Sequence, residues 1–559
     1  MRTGLLALTV LLFGSGVAIA ADPPIVFQVQ PFGRVLDDLR GAADHVGGMP
    51  AIKLVNKQLK EVFGEKGLEG LDINRPIVGY VILAPKPEDI TTVIALPITG
   101  EKDFLALCER ANGSKPTPIG KEKGVYELPP LNRQHQALMR FADQYAYIAY
   151  GNNPAAHIEA KALVPMAKLF DPAERGLAAV RVHFDRIPLA VKLAAPALFA
   201  EVKKTLFRGS DDDAIFKAIM PEVEKLLARY GKLVLGGDVL TARLLLDLPA
   251  GDIAVEATLT AKPDTELAKM IAAYKAVPNR FASLATHPDT AAAWHMQMPL
   301  FAPEVRAAAA AGLDEGRKDI VADAPQGAKT AVEEAFKGFI RVVKKSELDV
   351  AIALRGPNKD GWFHAIGAIS FDDTEKPGTL EKEIKAFFQK QAPQDEQDRM
   401  KWDADKAGKV NIHTYHWPEG GFFFFDFTKF LGGDKCFAAF AFAPDGIVAV
   451  VGPDPIPVLK TVLAAKPVAR PVLEMMVNPS RVVKAFEKFV GEDDRNRDEL
   501  VNMIGKEDKL LSAATIAVEG GKQLKVTYTM SLRVLPRLMF TDEIRRATRN
   551  ADEKPPLEK

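Results

Sequence analysis

Stretches of alternating apolar and polar residues recur along the chain, with segments of helical periodicity between them. The first two such stretches, Ile77 to Ala84 and Thr91 to Ile98, are joined by a polar connection rich in proline, as in a hairpin. The segment Glu101 to Asn112 then places four side chains on one helical face: Phe104, Leu107, Cys108 and Ala111. Strands joined by tight turns and punctuated by helices predict an α+β fold, in which helices pack on an antiparallel sheet.

The same order of predicted elements occurs twice. Residues 141–154 match residues 442–455 without a gap, and each segment reads as a phenylalanine, a polar turn, an apolar strand, a glycine and a proline. Each proline suits the first turn of a helix. The strand before this block aligns Tyr126 with Tyr415. The sequence therefore predicts two tandem diverged copies of an antiparallel sheet with packed helices.

The first twenty residues have the pattern of a signal peptide. Arg2 precedes an apolar run from Leu5 to Phe13, and Ala18-Ile19-Ala20 forms a cleavage site of the A-x-A type. This run is shorter than the roughly 20 residues that span a bilayer. We therefore expect cleavage before Ala21 and a periplasmic or secreted product.

The predicted organisation has four parts. Residues 1–20 form the signal peptide, 21–275 the first α+β repeat and 285–540 the second. Residues 541–559 form a charged tail that is predicted to be disordered. No later segment reaches 18 uninterrupted apolar residues, so no integral membrane segment is expected after cleavage.

Composition and charge narrow the possible partners. Apolar residues make up 47% of the chain and charged residues 26%, which is typical of a globular protein. Lysine plus arginine and aspartate plus glutamate both total 73, so no net field favours nucleic acid. The two cysteines, Cys108 and Cys436, are predicted to be buried free thiols, with a disulfide between them as the alternative.

Local catalytic motifs are missing from the sequence. It contains no GxSxG, HExxH, Walker A or CxxC motif, and no GxGxxG opens a helix. The strongest metal candidate is His413-x-x-His416, with His364 on another predicted strand. Residues three apart in a strand point to opposite faces, so His413 and His416 should not share an ion. We therefore predict neither a metal nor a cofactor.

One insertion breaks the repeat. Between Pro418 and Phe442 the second copy has twelve residues more than the first has between Pro129 and Phe141. The insertion carries a cluster of five phenylalanines: Phe422, Phe423, Phe424, Phe425 and Phe427. Consecutive phenylalanines in a strand present rings to both faces, and both faces then need cover. The run is interpreted either as a strand between sheet and helices or as an apolar binding or partner-docking surface.

The signal peptide, the paired hairpin-helix units and the block Phe-Ala-Asp-x-Tyr-x-Tyr-x-Ala-Tyr-Gly at 141–151 carry a resemblance. Together they resemble large exported proteins of Planctomycetes, which are similar to bacterial families filed as domains of unknown function. The resemblance covers most of the mature chain and implies no activity.

The sequence therefore predicts an exported protein that is non-enzymatic and serves in binding or in envelope structure. One alternative is an exported hydrolase with a dispersed carboxylate site, since paired carboxylates leave no local signature. Another is a carrier of an apolar ligand between sheet and helices. Cleft carboxylates with raised pKa would favour the hydrolase, and an elongated apolar cavity would favour the carrier.

Overall fold

The computed structural model describes residues 22–46, 53, 56–57, 60, 66–84, 89–119, 124–129, 136–192, 236–298, 303–345, 348–372, 375, 377–417, 430–490 and 514–532. The chain divides into two compact units, Met1–Lys269 and Met270–Lys559. Helices and antiparallel strands occur in both, so the predicted mixed α+β class is confirmed.

The described part of the first unit contains one antiparallel sheet. Its strands are β1 (Ile25–Val29), β2 (Ile77–Ile82), β3 (Thr91–Pro97), β4 (Thr117–Pro118), β5 (Val125–Leu128), β6 (Gln136–Ala142), β7 (Tyr145–Gly151), β8 (Ala178–His183), β9 (Gly237–Asp247) and β10 (Asp252–Ala261). The strand order across the sheet is β4-β5-β6-β7-β3-β2-β1-β8-β9-β10. The helices are α1 (Phe32–Val46), α2 (Glu101–Asn112), α3 (Ala155–Ile158) and α4 (Met166–Leu169), and α5 (Glu266–Ala273) crosses into the second unit.

Both faces of this sheet are covered. On one face Tyr80 and Tyr147 pack in a cluster that includes Ile158 of α3 and Leu169 of α4. On the other face α2 buries Phe104 and Leu107 against strand residues, as its periodicity predicts. The sheet therefore separates two apolar layers.

The described part of the second unit also contains antiparallel strands. Its strands are β12 (Thr290–Met298), β13 (Leu348–Arg355), β14 (His364–Ser370), β15 (Met400–Ala407), β16 (Val410–His416), β17 (Cys436–Ala443), β18 (Gly446–Pro453), β20 (Leu473–Val477), β21 (Ala514–Glu519) and β22 (Leu524–Ser531). Their order is β15-β16-β17-β18-β14-β13-β12-β20-β21-β22. Two short strands, β11 (Val277–Asn279) and β19 (Val468–Arg470), pair separately. When the strands of each large sheet are numbered along the chain, both sheets have the same order.

Helices cover this second sheet as well. They are α6 (Ser283–Thr286), α7 (Pro303–Asp323), α8 (Lys329–Lys345), α9 (Thr379–Gln391), α10 (Gln394–Arg399), α11 (Pro455–Leu463) and α12 (Pro479–Val490). Leu284 of α6 and Leu459 of α11 complete the core on one face. On the other face Phe371 packs against Gly338 of α8, and Phe388 of α9 contacts the ring of Trp402.

The two cysteines are buried and unbridged, one in each unit. This confirms the prediction of two free thiols. Burial raises the pKa of both Cys108 and Cys436 to about 11, so neither thiol is ionised near neutral pH. Among the described residues, no helix is both long enough and apolar enough to cross a bilayer.

Candidate functional site

The histidines singled out in the sequence lie on opposite faces of β16. His413 is completely buried, whereas His416 is exposed. The two side chains therefore face opposite ways, as expected for residues three apart in a strand. His416 instead lines the same cleft as His364.

This cleft has a volume of about 670 Å³ and opens beside the start of α11. Four of its lining residues are apolar: Phe437, Pro453, Pro457 and Val458. The others are polar: Asn358, Asp360, His364, His416, Asp434, Lys435 and Asp454. The lining residues come from four separate stretches of the chain, 358–364, 416, 434–437 and 453–458, and the pairing of β14, β16, β17 and β18 brings these stretches together.

A row of three rings crosses the sheet at this cleft. Phe437 on β17 pairs with His416 on β16 and with Gly452 on β18. The register of β14 against β18 places His364 beside Gly452. A Cβ at Gly452 would lie 2.7 Å from Cδ2 of His364, so the imidazole occupies the space left by the glycine. The row therefore runs His364, Phe437, His416.

The rings of His416 and Phe437 stack, with centroids 4.7 Å apart and planes inclined by 18°. Three strand spacings separate the backbones of His364 and His416, which is about 14 Å. Metal ligands lie about 2 Å from their ion. The two imidazoles are therefore placed as parts of an extended platform and not as ligands of one metal.

Hydrogen bonding fixes the tautomer of His364. Its Nε2 donates to the carbonyl oxygen of Pro453 at 2.7 Å, which leaves Nδ1 as an acceptor. Burial lowers the pKa of His364, against the opposing effect of this hydrogen bond. Although His416 is exposed, partial desolvation of its ring and the charge of Lys401 lower its pKa. Both imidazoles are therefore neutral at neutral pH, and the charge of the cleft comes from its carboxylates and Lys435.

His413 belongs to a separate, buried cluster on the other face. The backbone N–H of Asp403 donates to its Nδ1 at 3.0 Å, so the proton of the neutral ring is on Nε2. The Oε1 of Glu381 lies 3.3 Å from Nε2 but outside hydrogen-bond geometry. Burial lowers the pKa of His413, although both carboxylates oppose this shift. Asp403 has a φ of 53° within an irregular stretch of β15, and this backbone turns its N–H towards the imidazole.

Glu381, Asp403 and His413 also come close enough together to be considered as a metal site. The hydrogen bonds argue against that use, because a ligating Nε2 needs a lone pair and here it carries the proton. Asp403 lies 3.9 Å from Nδ1, on the edge of the ring away from Glu381. The arrangement is better explained as a structural contact that joins α9 to β15 and β16.

Sequence reasoning also missed a second buried histidine. The side-chain amide of Asn279 lies 2.7 Å from Nε2 of His295, and its own oxygen accepts from the backbone N–H groups of Phe281 and Ala282. The amide orientation is thereby fixed, and Nε2 is the acceptor. Three buried atoms nearby have no hydrogen-bond partner among the described residues: His295 Nδ1, Gln297 Oε1 and Asp349 Oδ1. This polar cluster ties β11 to β12 and β13.

Carboxyl groups with shifted pKa values are informative about acid–base chemistry. In the described part of the chain the pKa is lowered at five of them: Asp22, Glu174, Asp314, Asp403 and Asp405. Each accepts hydrogen bonds from lysine, arginine or backbone N–H groups. This direction is opposite to the raised pKa that a general acid of a hydrolase needs.

The phenylalanine run from Phe422 to Phe427 lies outside the described residues, so its role stays a prediction. The described chain stops at Trp417, one residue after His416 of the cleft, and resumes at Phe430. The carbonyl oxygen of Phe430 accepts from the backbone N–H of Phe363 at 2.9 Å.

The fold and the cleft together define an α+β protein with a ten-stranded antiparallel sheet in the described part of each unit and a polar, ring-lined cleft in the second. Comparisons of the chain with protein-family models, with curated proteins and with solved structures found no match.

Proposed function

We propose that this protein is an exported, non-enzymatic ligand-binding protein and that the cleft of the second unit is its binding site. The observation that carries the proposal is the row of His364, Phe437 and His416 under a polar rim. Small-molecule sites are typically clefts of about 300–1,000 Å³. The volume of about 670 Å³ lies within that range.

We also infer that the two units are diverged copies of one ancestral unit. The shared strand order supports this, and so do the two cores. The two sheets can be matched row by row, that is, by strand order and by the register of paired residues. Buried residues of the first unit then correspond to buried residues of the second: Val26 to Ala293, Val78 to Ala351, Tyr80 to Ala353, Val93 to Ile366, Ala95 to Ala368, Val125 to Ile412, Leu138 to Ala439, Tyr147 to Val448 and Ala149 to Val450.

The ring residues of the cleft are not shared by the two units. The same matching sets three uncharged residues of the first unit on the ring row, namely Thr91 on His364, Gln136 on Phe437 and Pro129 on His416. The glycine beneath the row is kept, since Gly151 matches Gly452. A duplicated scaffold in which the residues of this row differ between the copies is what a binding function added after duplication would produce.

The binding site can be tested with the mature chain, beginning at Ala21. Thermal-shift screening against charged, neutral polar and apolar small molecules should find compounds that raise the melting temperature. Replacing His416 by alanine should remove the shift, whereas Gln136→Ala, which alters a ring-row equivalent in the first unit, should keep it. A hit that His416→Ala does not affect, a screen without hits, or turnover of a hit to product would overturn the proposal.

Export is a separate part of the proposal and rests on the signal-peptide pattern. Expression in a Gram-negative host should yield a product whose N-terminus is Ala21, as measured by N-terminal sequencing. A product that retains Leu5 to Phe13 would contradict export.

The phenylalanine run is retained as a proposed apolar surface. Replacing Phe423 and Phe425 together by serine should leave the melting temperature unchanged if the rings contact a ligand or partner. If they are core residues instead, each buried ring contributes roughly 1.5–3 kcal/mol and the melting temperature should fall by many degrees. A large fall would therefore remove this surface from the proposal.

A further inference from the structure

We infer that the cleft takes an extended cationic ligand that carries amine or guanidinium groups. The inference rests on the proposed function, since it assigns a chemical class to the same site. It follows from the charges at the rim, the rings of the floor and the length of the row.

Three of the residues that line the cleft are aspartates. Among the described residues, no side-chain hydrogen bond or ion pair engages the carboxylates of Asp360, Asp434 or Asp454. Asp454 directly precedes α11 and has a φ of 49°, yet its side chain makes no capping hydrogen bond to that helix. Because the described part of the fold does not use these carboxylates for its own structure, they are available to a ligand.

The other charges that line the cleft do not cancel these aspartates. Lys435 is the one cationic side chain among the residues that line the cleft. His364 and His416 are neutral at neutral pH, because full or partial desolvation of the rings lowers both pKa values. Arg355 and Lys401 act on the imidazoles from outside the lining. Among the lining residues themselves, three carboxylates stand against one ammonium, so the lining is net negative and favours cations over anionic ligands.

The floor suits the same ligand class. Amine and guanidinium groups are attracted to the faces of aromatic rings within about 6 Å. The stacked pair of His416 and Phe437 offers such a surface beside the rim carboxylates. The row spans about 14 Å between its end backbones. An extended molecule with more than one positive charge therefore matches the site better than a compact one.

Other ligand classes use fewer of these features. A metal ion would need ligands on a common centre, and the two imidazoles are too far apart for that. A neutral saccharide could stack on the rings but would gain nothing from unpaired carboxylates. Salt separates the cationic ligand from the neutral saccharide. Attraction between charges weakens as ionic strength rises, so salt should weaken binding of a cation and leave binding of a saccharide unchanged.

The test is isothermal titration calorimetry on the mature chain, with spermidine, a tetralysine peptide, cellobiose and Zn²⁺ as probes. We expect binding of a cationic probe that weakens markedly between 20 and 200 mM salt. The replacements Asp434→Asn and Asp454→Asn should each weaken it by roughly tenfold, as expected for loss of one close charge pair. The control Glu315→Gln, at an exposed acid on α7, should bind like the wild type.

Each outcome is decisive. Binding of spermidine alone identifies a free polyamine, and binding of tetralysine alone identifies a basic peptide; either supports the inference. Binding of cellobiose or Zn²⁺ alone, lost in His416→Ala, would overturn the cationic class and leave the proposed binding function in place. Cationic binding that both asparagine variants retain would also overturn it. The conservative variant Asp434→Glu, which keeps the charge, should retain binding and so separates loss of charge from loss of folding.

Discussion

The charged network around Glu174 allows a sharp test of how the first unit is held together. The Glu174 side chain is 1% exposed, and its carboxylate accepts from Nε of Arg243 at 2.9 and 3.1 Å. Arg181 donates to it at 3.2 Å, and the backbone N–H of Gly176 donates at 3.0 Å. Burial alone would raise the pKa of Glu174, yet these donors lower it overall. The carboxylate therefore joins β8 and β9 to the segment that precedes β8.

Replacing Glu174 by glutamine keeps the shape of the side chain and removes its charge. Breaking a buried ion pair by removing one partner costs about 3–5 kcal/mol. The side chains of Arg181 and Arg243 are 22% and 27% exposed, so water screens part of the loss. We therefore expect a decrease of about 3 kcal/mol in the free energy of unfolding. For a unit of this size that corresponds to a melting temperature lower by roughly 6–12 °C.

Differential scanning calorimetry of the mature chain measures this change, and hydrogen exchange in β8 and β9 locates it. The matched control is Asp22→Asn, which breaks the ion pair to Lys168 between two half-exposed side chains. Surface pairs of this kind contribute little, so the control should melt like the wild type. If Glu174→Gln also melts like the wild type, or if the faster exchange lies outside β8 and β9, the buried network does not hold these strands.

Two further predictions concern the second unit. Burial lowers the pKa of His413 in the folded protein. Below about pH 6.5 the unfolded chain therefore binds more protons than the folded one, and the free energy of unfolding should decrease as the pH falls further. Urea denaturation at pH 7, 6 and 5 measures this, and a constant free energy would contradict it. Replacing Gly338 by alanine should destabilise by about 1–3 kcal/mol, because the new Cβ would lie 2.1 Å from the buried ring of Phe371. Gly312→Ala, whose Cβ meets nothing within 4 Å, should instead stabilise α7 by about 0.5–1 kcal/mol, and equal effects at the two sites in urea denaturation would refute the packing argument.

Local periodicity was sufficient to predict most of the secondary structure. The helix over Glu101–Asn112 buries Phe104 and Leu107 because residues three apart share a helical face. The strand Met400–Ala407 was not predicted, since its sequence MKWDADKA alternates charges where a buried strand alternates apolar residues. It lies at the end of the strand order, where charged residues protect an open edge. A pattern search based on apolar residues therefore misses such a strand.

The buried partners of His413 were beyond the sequence for a different reason. Glu381 comes from α9, and Asp403 reaches the ring through an irregularity of β15, so no fixed spacing links the three residues. Sequence matching also aligned Tyr126 with Tyr415, whereas matching the sheets row by row aligns Tyr126 with His413. A shift of two residues keeps every side chain on the same face. The hydrophobic pattern alone therefore cannot detect it.

If the two units are copies, as proposed, the cleft is a site gained at low structural cost. At matched core positions the size of the side chain differs between the units, as for Tyr80 and Ala353. In both units these residues lie in a buried apolar cluster. The row above Gly452 lies at the ends of its strands, where side chains meet a cleft and not the core. On the proposed duplication, the position of Thr91 in the first unit is occupied by His364 in the second. The imidazole of His364 fills the space over the glycine that both units share, and the strand order is the same in both. Binding chemistry can therefore diverge at this row while the core of each unit keeps its fold.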